Sequence, residues 1–174
     1  MSVGPLNSHS FNIRGWVTTI HKDGEGNIKS IRTSPNLLTY WGADFIASAF
    51  GQGNPGATAI YMGLAVTNDQ AGAITGPDSA DNTISAELAA WTMQARMTGS
   101  YAHVANATNW TMSTSWSGLN SSLSAYIYYV GLAFCQSLGG AGVLAKASFA
   151  VVSKASQDTL TVAWTFCVTM CTSQ

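Results

Sequence analysis

From Thr159 to Met170 the chain reads Thr-Leu-Thr-Val-Ala-Trp-Thr-Phe-Cys-Val-Thr-Met, with a large apolar residue at every second position and Thr, Ala or Cys between. A period of two belongs to a strand with one face buried and the other turned outward. At roughly 3.3 Å per residue such a strand runs on the order of 40 Å and needs neighbours of similar length. Tyr126 to Phe134 and Val143 to Val152 lie just upstream, linked by Leu138-Gly139-Gly140-Ala141-Gly142 and by Ser153-Lys154-Ala155-Ser156-Gln157-Asp158. Short turn-rich links between β-rich runs predict an antiparallel meander.

The same pattern recurs upstream. Phe11 to Lys22 and Asn27 to Thr33 form a hairpin around Asp23-Gly24-Glu25-Gly26, whose glycines permit a tight reversal, and Pro35 stops the second strand. The period then changes. Leu38, Trp41, Phe45 and Ala49 fall at helical spacing, which predicts an α-helix over 37–50 capped by Asn36 and ended by Gly51. Ala59 to Val66 returns to strand alternation, and Thr67 to Thr83 reads as a long loop. A short helical turn is expected over Ser85 to Trp91, and further strands over Thr92 to His103 and Asn109 to Trp116. About eight strands, one inserted helix and no βαβ rhythm predict an all-β fold, an antiparallel sandwich or jelly roll. Residues 1–10 read as an extended arm and residues 11–174 as a single domain.

Charge alters this picture more than size does. Charged residues make up 9% of the 174, against a usual figure of about 25%. Beyond Arg96 only Lys146, Lys154 and Asp158 carry charge. A surface with so little charge repels its own copies weakly, which suits a subunit covered by other subunits. The formal net charge of −1 offers no basic stripe for nucleic acid. No apolar run approaches the ~20 residues of a membrane-spanning helix, and the start lacks the basic and apolar regions of a signal peptide. Cys135, Cys167 and Cys171 are an odd set without CxxC spacing, so reduced, buried thiols are expected.

No constellation carries recognisable chemistry. His9, His21 and His103 are scattered, none within a local signature with Ser, Cys or a carboxylate, and an enzyme would need a pocket in which a histidine meets a carboxylate. The eight acids form no facing pair. The acidic loop from Asn68 to Glu87 lacks the spacing of a calcium loop and reads as a solvated or interface segment, with Glu87 and Arg96 as an ordinary salt bridge. Asn106, Asn109 and Asn120 begin glycosylation-type triplets that arise by chance in so Asn-, Ser- and Thr-rich a chain. Trp110, Trp116, Tyr126, Tyr128 and Tyr129 would make a sugar-stacking platform if they shared an open face, which keeps a carbohydrate-binding or receptor-binding module as a rival. No cofactor or metal is expected.

Several segments resemble a known class. Ala59-Ile-Tyr-Met-Gly-Leu-Ala-Val, then a loop, then Thr83-Ile-Ser-Ala-Glu87-Leu is similar to small β-rich virion proteins of tailed bacteriophages. So is the run Val130-Gly-Leu-Ala-Phe134, Gly139-Gly, Val143-Leu-Ala-Lys-Ala-Ser-Phe149 and Asp158-Thr-Leu-Thr-Val-Ala-Trp-Thr, apart from Ala133 between Leu132 and Phe134. The matched segments lie in the C-terminal two-thirds, and the first 55 residues fall outside them. The resemblance implies a non-enzymatic virion component made in the host cytoplasm, foremost a capsid decoration or cement protein on the outer head. It would contact copies of itself, as a trimer for example, and a major capsid protein. A tail, neck or fibre component is the alternative. Leu6, Phe11, Trp16, Tyr61, Trp110, Trp116, Tyr126 and Tyr128 are the candidate subunit contacts, with Met1 to Ser10 as a docking arm.

Overall fold

The computed structural model describes residues 9–52, 61–67, 83–84, 96–117, 125–136 and 142–172. The elements are β1 (His9–Lys22), β2 (Ile28–Pro35), β3 (Leu37–Leu38), α1 (Tyr40–Gln52), β4 (Tyr61–Thr67), β5 (Met97–Thr98), β6 (Ser100–His103), β7 (Asn109–Ser117), β8 (Ala125–Ala133), β9 (Val143–Lys154) and β10 (Thr159–Thr172). They form two antiparallel five-stranded sheets, a front sheet in the order β2-β1-β10-β7-β6 and a back sheet in the order β3-β9-β8-β4-β5. The fold is the expected all-β sandwich with one helix.

Pairing is nested. β1 pairs with β10, β3 with β9, β4 with β8 and β6 with β7, so the two halves of the chain zip together in reverse order. The alternation of β10 dictates what lies between the sheets: Leu160, Val162, Trp164 and Phe166 point inward and meet Met62 and Leu64 of β4, Ile127, Val130 and Leu132 of β8, and Ala147 and Val152 of β9. Trp164 is fully buried and stacks on Phe166, which in turn stacks on Trp110. At ~1.5–3 kcal/mol for each large apolar side chain, this layer supplies the main drive to fold.

Four expectations need correction. The C-terminal meander holds only for β8 and β9. β10 leaves β9, crosses to the front sheet and lies between β1 and β7. Turn-forming residues serve a hairpin and an arch between sheets equally well, and here Lys154 and Asp158 fold inward over the end of the sandwich. The helix starts later than 37. Leu37 and Leu38 pair with Lys146 and Ala145 of β9, and the cap is Thr39 instead of Asn36: the Gly42 amide donates to Thr39 Oγ1 at 2.9 Å. The segment 92–103 is not one strand. Its described part splits at Gly99 into β5 in the back sheet and β6 in the front sheet, which with β3 brings the described strands to ten. Strand β1 also begins at His9, opposite Thr172, so residues 9 and 10 belong to the sheet and not to an arm. Residues 1–8, the loop over 68–82 and the turn expected at 85–91 lie outside the described residues.

The β1–β2 hairpin forms as its sequence requires. Asp23 Oδ1 accepts the Glu25 and Asn27 amides at 3.0 and 2.8 Å, and Gly26 takes a φ of 91°. These bonds to its ionised form, Asn27 foremost, hold the Asp23 carboxyl below its ordinary range.

Candidate functional site

The two outer faces of the sandwich differ, and the difference begins in the strands. β8 is apolar at consecutive positions, so both of its faces are buried. Ile127, Val130 and Leu132 face the core, whereas Tyr128, Tyr129 and Ala133 join Ala65, Ile84 and Val143 in a second cluster behind the back sheet. Helix α1 adds to this layer. Trp41 and Phe45 enclose Phe134 with ring centroids 4.7 and 4.4 Å away, and Thr39 Oγ1 donates to the Val143 carbonyl at 2.5 Å. Lys146 is fully buried there, over the Tyr129 ring at 5.6 Å.

The front sheet has no such cover among the described residues. Its outward positions line up in rungs across the strands. Thr33, Thr18, Ala163, Ser113 and Ser100 form the central rung. On one side lies Pro35-Trp16-Thr165-Thr111-Ala102, and on the other Ile31-Ile20-Thr161-Ser115. Arg14, Cys167 and Asn109 close one end, and Lys22, Thr159 and Ser117 the other. Between these ends the face carries no charge. Two pairs of its hydroxyls bond sideways to one another, Thr18 to Thr33 at 3.2 Å and Ser115 to Thr161 at 2.8 Å.

A second polar feature sits at the hairpin end. Asp158 Oδ2 accepts from His21 Nε2 at 2.7 Å, from Lys29 Nζ at 2.9 Å and from the Ala155 amide at 3.1 Å. Burial opposes the ionised form of Asp158, yet the bonds from Lys29, Ala155 and His21 outweigh it and hold the carboxyl at about 2. Burial pushes the Lys154 ammonium below its ordinary range, and the Asp158 charge offsets part of that. A histidine therefore does meet a carboxylate, 137 positions away in sequence, a contact that no local spacing announces. The groups gathered on Asp158 are the Lys29 ammonium, the His21 imidazole and a backbone amide, not a nucleophile, and the arrangement chemically locks the 155–158 turn to the β1–β2 hairpin. A pocket of about 270 Å³ lies elsewhere, lined by Ile13, Arg14, Gly15, Pro35, Asn36 and Leu38. Among the described residues no three His, Cys, Asp or Glu side chains come together.

The candidate contact residues scatter. Trp16 alone stands on the open face, at 37% exposure. Trp116 and Tyr128 are buried at 4% and 7% and pack inside the chain, which corrects their assignment as contacts, since a strand aromatic fills the core as readily as an interface. Trp110 is partly buried on Phe166, and Tyr61 and Tyr126 are half-buried in the back sheet. Leu6 and the side chain of Phe11 lie outside the described residues. The sugar platform is dismantled too: Trp116, Tyr128 and Tyr129 are buried and lie on different faces. The Cys135 and Cys167 side chains are half-buried. Glu87 lies outside the described residues, and Arg96 is seen donating to the Cys135 carbonyl at 3.1 Å.

Folding sharpens the shortage of charge. Arg96, Lys146, Lys154 and Asp158 are at most 4% exposed, and no other Asp, Glu, Lys or Arg follows residue 96. The surface contributed beyond that point thus presents no Asp, Glu, Lys or Arg side chain, and its one histidine, His103, is exposed. No described helix is long and apolar enough to cross a membrane. Comparison with protein-family models, with curated proteins and with solved structures finds no match.

Proposed function

We propose that the chain is a non-enzymatic structural subunit of a tailed-bacteriophage particle, a decoration (cement) protein that sits on the outside of the head and ties neighbouring capsid subunits together. One observation carries the reading: the half of the chain after Arg96 presents no Asp, Glu, Lys or Arg side chain at its surface. A free domain normally relies on surface charge to stay apart from its own copies, whereas a subunit held among others has no such need. Burial of flat, weakly polar faces at about 25 cal/mol per Å², repeated over many copies, stabilises a shell without any single strong contact. The resemblance of 59–66, 83–88 and the last three strands to small virion proteins supports the same class.

The test is composition and rebinding. Mass spectrometry of purified particles of the phage that encodes the chain should find it in many copies, and the full-length protein should rebind to particles stripped of it. Removal of residues 1–8 should weaken rebinding while the β-sheet circular dichroism stays unchanged. Absence from particles, or saturable binding on a glycan array without particle binding, overturns the reading. A location in the tail, neck or fibre would show in the same particles by imaging.

A further inference from the structure

We infer that the open face of the front sheet docks a second copy of this chain, face to face, about a two-fold axis running along the Thr33-Thr18-Ala163-Ser113 rung. This rests on the reading of the chain as an assembling subunit and names the surface and partner involved.

The register makes the face complementary to itself. A two-fold axis along the central rung reverses the strands and lays each flanking rung over the opposite one. Trp16 and Pro35 of one copy then meet Ile20 and Ile31 of the other, and Thr165 meets Thr161. Large apolar groups fall on large apolar groups and hydroxyls on hydroxyls, as an isologous contact requires. Trp16 and Ile31, now 37% and 58% exposed, would be the residues most covered. The small residues of the central rung let the two sheets approach to about the 10 Å of ordinary sheet packing. Each of the pairs Thr18–Thr33 and Ser115–Thr161 uses one of its two hydroxyl protons internally, so docking leaves the other to be met by hydroxyls across the interface.

The ends keep the contact weak. The axis that lays Trp16 over Ile20 also lays Arg14 of one copy over Lys22 of the other, a like-charge contact that Asp23 and Glu25 in the turn beyond offset only in part. The area is adequate. Nine residues of three long strands at about 3.3 Å each and about 4.8 Å between strands, with the shorter β2 and β6, give roughly 600 Å² per copy. That is the lower end of specific interfaces, and it implies association on the order of micromolar that becomes firm only when many copies act together.

Sedimentation velocity on the full chain, over a concentration series, tests this with Ala163→Arg and Arg14→Glu. Ala163 lies between Thr18 and Ser113 on the open face, so arginine there fits the fold and intrudes only on a docked copy. The expected result is a reversible dimer, weakened about tenfold or more by Ala163→Arg with an unchanged melting temperature. Arg14→Glu, which sets a carboxylate opposite Lys22 of the other copy, should tighten it, and adding Lys22→Glu should reverse that gain. A chain that stays monomeric to about millimolar concentration, or self-association that Ala163→Arg leaves intact, overturns the proposal. A monomer whose binding to particles is lost on Ala163→Arg also overturns it, because the face then serves a different subunit, and the virion reading survives. A dimer broken by Ala163→Arg from a chain absent from particles upholds the face and rejects the virion reading.

Discussion

Asp158→Asn removes one charge and little volume from the point where the N- and C-terminal strands are tied together. The wild-type carboxylate accepts three hydrogen bonds on Oδ2, from His21, Lys29 and the Ala155 amide, and partly offsets the buried Lys154 charge. Breaking a buried ion pair from one side costs about 3–5 kcal/mol. Lys29 is 44% exposed and regains water when released, so the lower figure applies and the variant should lose about 3 kcal/mol in urea unfolding at pH 7. Acid supplies a second reading of the same group. Its carboxyl is held at about 2 against an ordinary 3.8, so its contribution is full above the ordinary value and disappears as pH falls through the folded one. The gap corresponds to about 2 kcal/mol. Wild-type stability should therefore fall more steeply than that of Asp158→Asn between about pH 5 and pH 2. A loss under about 1 kcal/mol at pH 7, or parallel acid profiles for the two proteins, would show that the cluster is not the tie described.

Two further substitutions probe how the back sheet is finished. In Gly42→Ala the new Cβ would run into the Leu144 carbonyl, against which α1 lies. A loss of about 2 kcal/mol is expected, seen as a melting temperature lower by about 5 °C. A rise would mean that the alanine's better helix propensity prevails and that the helix is free to shift. Arg32 Nη1 donates to the Ala150 and Val151 carbonyls, on the stretch of β9 that the two-residue β3 does not reach. Arg32→Ala should cost about 1–2 kcal/mol and expose that edge, so light scattering at moderate temperature should increase with concentration. Unchanged scattering and stability would refute an edge-guarding role.

The alternation of β10 settles, without any coordinates, that one face of this strand is core and the other a threonine face, because side chains on an extended backbone have no other choice. The continuous apolar stretch of β8 likewise requires cover on both sides, and the scarcity of charge after Arg96 is readable by counting. What the linear order leaves undecided is which strand lies beside which. Ser153 to Asp158 carries the residues of a turn, yet whether that turn closes a hairpin or sends β10 to the opposite sheet depends on the whole layer of Trp164, Phe166 and their partners finding space between the sheets. That choice places β10 between β1 and β7, brings His21 to Asp158, and assembles the open face from strands at both ends of the chain. Local pattern sets the direction each side chain points, since that is a property of a few bonds. Neighbours across a sheet are set by long-range packing, which exists only once the chain has closed on itself.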